Sequence, residues 1–441
     1  MQEDITEQGT TERNKMEKLY AFFLEHPQVQ TDTRALKKGE IFFALKGPHF
    51  NGNLYAKKAL ENGAAGVVID EPIGIEGDHI FLVQDVLQTL QQLALHHRKQ
   101  FNIPFIAITG SNGKTTTKEL IHAVLSSTYK TYTTKGNLNN HIGIPLTLLS
   151  IKKDAEIAII EMGANHQKEI QGYCTYVLPT HGLINNCGKA HLEGFGGVEG
   201  VRKGKGELYD FIASNQGIAF VNSDLDYLMK MSEPIQQKIY YGNTLGSYKT
   251  SISQNDPLLI LEVTHPSIHQ QKINTNLVGE YNQPNIDAAI CIGDYFHIPF
   301  DRIRHAIESY IPSNARSQLM EIGSNAVILD AYNANPNSMQ AALENFSKHA
   351  AKNKIIMLGA MMELGIDSIK EHQQIIEQIQ TLNFQQVILV GGDFKNTNHP
   401  FHFFNQVEDA CSWLKNHQPE NSTILIKGSR SMKMEKLVDV L

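Results

Sequence analysis

The run Phe105-Ile-Ala-Ile-Thr-Gly-Ser-Asn-Gly-Lys-Thr-Thr-Thr-Lys-Glu119 reads as a buried strand, a glycine loop and a helix start in one stretch. Gly110 and Gly113 let the backbone curl so that successive N–H groups point at one anion, and a helix opening at Thr115 adds its positive dipole end. Lys114 follows where it can reach the outer phosphates of a bound nucleotide, and the Thr115 hydroxyl can sit on Mg²⁺. The general phosphate-loop pattern places a glycine where this chain has Ile108, so the loop is the variant T-G-x-x-G-K-T-T rather than that of a generic nucleotide hydrolase. A plain glycine turn between strand and helix would not need lysine and threonine in that order.

Outward from this stretch, short apolar strands alternate with helices. Upstream, Ile41-Phe-Phe-Ala-Leu and Gly66-Val-Val-Ile read as strands, and Leu54 to Asn62 and Val86 to Lys99 as helices, giving a small α/β unit. Phe101-Asn-Ile-Pro104 reads as a linker. Downstream, a helix from Thr115 to Ser127 places Leu120, Ile121, Val124 and Leu125 on one face, and Ile157-Ala-Ile-Ile160 and Gly182-Leu-Ile184 read as buried strands. After Pro312 the alternation restarts, with strands at Val327, Lys354, Gln386 and Ser422 and helices from Ser338, Ser368, Val407 and Met432. The expected fold is therefore α/β in three domains: a small α/β domain over 1–100, a central phosphate-loop domain with a mainly parallel sheet over 101–312, and a compact Rossmann-like domain over 313–441. The polar N-terminus, Met1 to Lys18, is expected to fray and lacks the apolar run of a signal peptide.

Composition narrows the partners. The 441 residues carry 39 basic and 46 acidic side chains, a net charge of −7 that gives no electrostatic reason to bind nucleic acid or an anionic membrane. No apolar run is long enough to span a membrane. Cys174, Cys187, Cys291 and Cys411 lie far apart without a Cys-x-x-Cys pair, which suggests neither a disulfide framework nor a thiolate zinc site and fits a reducing cytoplasm. The expected ligand is a small molecule.

Two further strand ends carry chemistry. Glu161, in Ile159-Ile-Glu-Met-Gly-Ala, closes a buried strand at the edge where α/β sheets present ligand groups, and a carboxylate there can hold Mg²⁺. Taken alone, a strand-end glutamate facing solvent reads equally well. The third strand end runs into Asn185-Asn-Cys-Gly-Lys-Ala-His-Leu-Glu-Gly-Phe-Gly-Gly197, where a lone histidine, His191, is more often structural than a metal ligand.

Six strings together carry a resemblance. Thr109-Gly-Ser-Asn-Gly-Lys-Thr-Thr, Gly136-Asn-Leu-Asn-Asn-His-Ile-Gly-Ile-Pro145, Glu161-Met-Gly-Ala, His191-Leu-Glu-Gly-Phe-Gly, Asp330-Ala-Tyr-Asn-Ala-Asn-Pro336 and Lys427-Gly-Ser-Arg-Ser occur in that order, within a likeness that runs from about Thr31 to the C-terminus. In this the chain resembles the Mur ligase family. The fifth and sixth strings are similar to those of members that add D-alanyl-D-alanine to a UDP-N-acetylmuramoyl-tripeptide in peptidoglycan precursor synthesis.

The resemblance implies an ATP-dependent amide ligase. ATP phosphorylates a substrate carboxylate, and an amine attacks the acyl phosphate to give an amide, ADP and phosphate. It implies that Gly110, Ser111, Asn112, Gly113, Lys114, Thr115 and Thr116 cradle the ATP phosphates. Asn282 and Asn285 would read adenine, and Arg316 and Asp330 would reach the ribose and phosphates from the hinge and third domain. It implies two Mg²⁺ ions, one held by Thr115 and Glu161, the other by His191, Glu161 and a carbamate formed from CO₂ on Lys205. An unmodified ammonium would repel Mg²⁺, whereas a carbamate offers hard anionic oxygens. Without the resemblance, Lys205 in Arg202-Lys-Gly-Lys-Gly-Glu reads as a solvated charge on a basic helix face, and Gly204 stands where relatives often have alanine.

Thr33 and Arg34, in Thr31-Asp-Thr-Arg34, would hold the UDP-sugar, and Asn137, Asn139 and Asn140 its peptide. Asn333 and Asn335 would approach the incoming dipeptide. For each asparagine a surface turn reads equally well from the residues alone. The implied protein is cytoplasmic and monomeric. Two other readings compete: another Mur ligase adding a different amino acid, and a nucleotide-gated module that hydrolyses ATP slowly and signals by shape.

Overall fold

The computed structural model describes all residues but Met1, Ile73, Ile75 and Asn314, with side chains described from Asn14 onward. The chain is α/β and divides into two compact units. The first comprises Met1–Ala107, Lys130–Gly163 and Gln171–Thr180, and the second Ile108–Tyr129, Ala164–Ile170 and His181–Leu441.

In the first unit a four-stranded parallel sheet runs in the order Val29–Gln30, Ile41–Phe43, Gly66–Ile69, Ile80–Leu82. Phe42, Ala44, Val67 and Ile69 pack against Ala56 and Ala59 of the helix Ala56–Glu61. That helix is shorter than expected because Gly52–Tyr55 forms a tighter 3₁₀ turn ahead of it. The N-terminal stretch expected to fray has helical backbone instead, Gln2–Glu25, with Leu19 and Phe23 buried. Asp85 caps the helix Val86–Arg98 through the Gln88 N–H. At its other end the Arg98 guanidinium lies 3.6 Å over the Phe105 ring and donates to the carbonyls of Val177 at 2.7 Å and Leu178 at 2.8 Å. This buried arginine pins the segment expected to be a linker to the base of the phosphate-loop strand. Further along the unit, Thr131–Thr133 pairs in parallel with Ile157–Glu161, in register Thr131 to Ile157.

The second unit holds three sheets. His181–Ile184, Ile218–Asn222 and Gln237–Tyr241 pair in parallel. Lys249–Asn255, Leu259–His265 and His269–Asn274 form an antiparallel meander that is absent from the strand and helix pattern read in the sequence. The last sheet runs in the order Gln318–Ile322, Asn325–Asp330, Thr423–Lys427, Lys354–Gly359, Gln386–Val390, His402–Phe404, parallel except for its first, antiparallel edge strand. Its core gathers Val327, Leu329, Met357, Ile388, Val390, Ile424 and Ile426.

Two helix starts differ from expectation for local reasons. The helix expected from Ser338 is Pro336–Ser347, because Asn335 is its N-cap and Ser338 the third residue of a capping box. The helix expected from Met432 is two 3₁₀ turns, Arg430–Met432 and Met434–Val440, split by left-handed Lys433 at φ 52°. Among the described residues no helix is long and apolar enough to cross a membrane.

One buried acid makes a stability prediction. Asp287, on the helix Gln283–Tyr295, accepts from the Thr250 hydroxyl at 2.8 Å, and burial pushes its carboxyl up to about 7. A carboxyl raised in the folded state binds a proton that the unfolded chain has already released, so stability falls as pH rises from the ordinary carboxylate range toward 7. Each tenfold gain in proton affinity on folding corresponds to about 1.4 kcal/mol lost above that range. Asp287→Asn, which cannot ionise, should therefore melt close to the wild type at about pH 4 and above it at about pH 8. A gap that is the same at both pH values would contradict this.

Candidate active site

Gly110 at φ 150° and Gly113 at φ 79° make the bend of the phosphate loop. A side chain at Gly113 would stand 2.6 Å from Asn285 Oδ1 and 2.9 Å from Asn185 Nδ2, so the position combines left-handed backbone with close packing. The helix Lys114–Ser126 opens at Lys114, with Gly113 as an N-cap that offers no side-chain acceptor. Its first N–H groups are thus not capped by Gly113 and face the loop's concave side. Lys114 Nζ donates to the Gly110 carbonyl at 2.6 Å, lying across the loop.

The loop is laced to the next strand end. Asn185 N–H donates to the Thr109 carbonyl at 2.9 Å, and Ser111 N–H to the Asn186 carbonyl at 2.9 Å. Asn112 N–H donates to Asn186 Oδ1 at 2.9 Å, and Gly188 N–H to Ser111 Oγ at 2.9 Å. Behind it, Asn285 Oδ1 accepts from the Thr117 hydroxyl at 3.0 Å, and Asn285 Nδ2 donates to Asn282 Oδ1 at 2.9 Å. Asn282 Nδ2 in turn donates to the Val278 carbonyl at 2.8 Å. Both asparagines are buried, and these amide groups tie the phosphate-loop helix to the helix Gln283–Tyr295.

Asn285→Ala consequently has two effects. It takes from the Thr117 hydroxyl its acceptor and from Asn282 Oδ1 its donor, costing about 1–3 kcal/mol of stability, and it raises KM for ATP more than it lowers kcat if the amide also contacts the base. Thermal melts and initial-rate kinetics read the two separately. An unchanged melting temperature would contradict the packing role.

His191 and Lys205 belong to one local structure. His191 precedes the helix Leu192–Phe195 with left-handed backbone, φ 53° and ψ 40°, and its carbonyl accepts from Phe195 N–H. Its Nδ1 is bonded to the Glu363 carboxylate. Lys205, on the helix Val198–Ser214, is 1% exposed. Its Nζ donates to the Ala164 carbonyl at 2.9 Å and lies 4.9 Å over the Phe195 ring. Burial, followed by the charge of Lys114, lowers its amine to about 7. Lys203, two residues earlier, is exposed, so the solvated-face reading fits Lys203 and not Lys205. A methyl group at Gly204 would collide with the Phe195 ring, which explains the glycine there.

In the first unit, Glu161 is 1% exposed, and its Oε1 accepts from Asn139 Nδ2 at 2.8 Å. Asn140 Oδ1 accepts from Ile142 and Gly143 N–H, closing the turn into the helix Gly143–Leu149. Asn139 thus orients the strand-end carboxylate and Asn140 shapes the loop, while Asn137 gives its carbonyl to Asn139 N–H. Arg34 is exposed and held by Asp32 in a two-point pair, Nε to Oδ1 at 2.9 Å and Nη2 to Oδ2 at 2.7 Å, with Thr33 between them in sequence. The pair lowers the Asp32 carboxyl to about 2.

In the last sheet, Asp330 and Lys427 end adjacent parallel strands, and Lys427 Nζ donates to Asp330 Oδ2 at 2.5 Å. The Arg316 guanidinium lies 3.5 Å over Tyr332. Asn335 Nδ2 donates to Asn112 Oδ1 of the phosphate loop at 2.7 Å, and Lys189 N–H to Asn337 Oδ1 at 2.5 Å. Asn333 is exposed and accepts from Ala334 N–H. Asn185, Asn186, Asn337 and Glu363 do not stand out as site residues in the sequence. The string from Asn185 holds a signal for two of them, since side-chain amides beside a phosphate loop are natural partners for its backbone.

The Thr115 hydroxyl in the second unit and the buried Glu161 carboxylate in the first are each oxygen donors of the kind Mg²⁺ accepts, so each fits that ion. Among the described residues, no three His, Cys, Asp or Glu side chains cluster as a self-sufficient metal site.

The phosphate loop is that of an ATP-using ligase, for residues 108–293 match the Mur ligase middle domain and residues 315–430 the Mur ligase glutamate ligase domain. The chain belongs to the Mur ligase family. Among its relatives is the UDP-N-acetylmuramoyl-tripeptide–D-alanyl-D-alanine ligase of Bacillus subtilis, 33% identical, covering 93% of this chain and 92% of that protein. Among solved structures, MurF from Acinetobacter baumannii aligns with TM-score 0.84 at 29% identity, covering 93% of this chain and 92% of that one. MurF ligase from Thermotoga maritima, solved in complex with ADP, aligns with TM-score 0.83 at 25% identity over 94% of this chain and 96% of that one.

Proposed function

We propose that the chain joins D-alanyl-D-alanine to a UDP-N-acetylmuramoyl-tripeptide, with ATP cleaved to ADP and phosphate. The observation that carries this reading is the likeness over nearly the whole chain to relatives of that one activity. The phosphate loop and the buried Glu161 and Lys205 support it. Residues 1–100 would bind the UDP-sugar through Thr33 and Arg34, residues 101–312 ATP, and residues 313–441 the dipeptide. The protein would work as a cytoplasmic monomer.

The chemistry follows from where charge develops. A carboxylate oxygen of the tripeptide attacks the γ-phosphorus, the bond to ADP breaks, and negative charge spreads over the transferring group. Lys114 and the N–H groups from Gly113 to Thr116 stabilise that charge, being fixed before the reaction begins. The dipeptide amine then attacks the acyl carbon, phosphate leaves, and the amine loses a proton. Bound Mg²⁺ would be held by Thr115, Glu161, His191 and the carbamate of Lys205, and would supply charge neutralisation on the phosphates. A buried amine with lowered proton affinity suits reaction with CO₂, because the free base is the nucleophile. Asn282, Asn285, Arg316 and Asp330 would face adenosine, and Asn137, Asn139, Asn140, Asn333 and Asn335 the two peptides.

Mass spectrometry of the product tests the proposal. Incubation with ATP, Mg²⁺, UDP-N-acetylmuramoyl-tripeptide and D-alanyl-D-alanine should yield the pentapeptide nucleotide, and ATP hydrolysis without a new amide would favour the slow-hydrolysing module.

A further inference from the structure

Glu363 has no part in the proposed mechanism, yet it touches the histidine at its centre. It follows the strand Lys354–Gly359 in Ala360-Met-Met-Glu-Leu-Gly365, and its carboxylate bonds His191 Nδ1. Its carbonyl accepts from Glu193 N–H, so the loop touches the histidine segment at two points. Both partners are non-glycine residues in left-handed backbone, His191 at φ 53° and Glu363 at φ 61°. Such conformations cost energy and persist where the surroundings fix them, and they gather at functional sites. Here two of them face each other across a single hydrogen bond between residues far apart in the chain.

An ionised carboxylate only accepts, so the proton of a neutral His191 must sit on Nδ1, leaving the Nε2 lone pair free. Imidazoles that hold metals commonly donate their other N–H to a carboxylate in this way, which fixes tautomer and ring orientation. Glu363 is half exposed, so its contact with His191 is not a by-product of core packing.

We propose that Glu363 is a positioning residue: it sets His191 in the Nδ1–H tautomer with Nε2 presented to Mg²⁺, and because it comes from the last sheet it links the seating of that sheet to assembly of the metal site. This rests on the reading of His191 as a metal ligand. The full chain, ¹⁵N-labelled at histidine and free of metal, reports the tautomer directly by long-range ¹H–¹⁵N correlation. The wild type should show His191 with protonated Nδ1 and bare Nε2. Glu363→Ala should shift it toward the Nε2–H form, and Glu363→Gln, which keeps an acceptor oxygen, should restore Nδ1–H.

Mn²⁺ binding to the ADP complex, followed by electron paramagnetic resonance, should weaken about 10–100-fold in Glu363→Ala. An unchanged His191 tautomer in Glu363→Ala, or unchanged Mn²⁺ affinity, overturns the proposal. Both shifts occurring in a chain that makes no amide would leave the link standing and refute the proposed ligase activity instead.

Discussion

Lys114→Ala lowers kcat by on the order of a hundredfold or more, measured as ADP release with all substrates saturating. The ammonium meets charge that grows as the γ-phosphoryl group transfers, so its loss falls on the transition state more than on ATP binding. The fold should survive. In the structure Lys114 Nζ donates to the Gly110 carbonyl, while the loop itself is held by Asn185, Asn186 and Ser111. Losing that contact removes about 1 kcal/mol. Near-normal kcat in the variant would mean that the loop is not where the phosphates react.

Lys205→Ala should be nearly inactive, and a small carboxylate such as acetate should restore part of the activity by offering oxygens where the carbamate stood. Rescue separates chemistry from packing, because acetate cannot refill the lost stem of a fully buried lysine. Lys203→Ala, on the exposed side of the same helix, should lose little and show no rescue. Removing bicarbonate should slow the wild type, since its carbamate would drain away. High activity of Lys205→Ala without any additive would leave this lysine a packing residue over Phe195.

What could be read from the sequence was what is local. Strand, glycine loop and helix follow one another within Phe105 to Ser126, and chain order alone supplies their geometry. Glu161 at a strand end was legible for the same reason. The meander from Lys249 to Asn274 was not, because its alternation is interrupted by polar residues on its exposed face and by the register shift between Ile252 and Gln254.

Side-chain partnerships across long separations were beyond reach. Nothing in the string around His191 announces Glu363, and nothing in Gly279-Glu-Tyr-Asn shows that Asn282 and Asn285 brace the helix behind the phosphate loop. Even Gly204, an oddity in sequence, needed the Phe195 ring to become intelligible. Left-handed His191 and Glu363 escaped for a related reason: neither residue type demands positive φ as glycine turns do, so only the fold reveals it.

If this chain makes an amide to the amino group of D-alanyl-D-alanine, its ATP turnover depends on that dipeptide. The most direct measurement is ADP release with UDP-N-acetylmuramoyl-tripeptide and ATP fixed while the dipeptide is varied. Turnover should be steady with D-alanyl-D-alanine and almost absent with L-alanyl-L-alanine or with either peptide substrate left out. Equal release with the two dipeptides, or release that continues without the tripeptide, would contradict it.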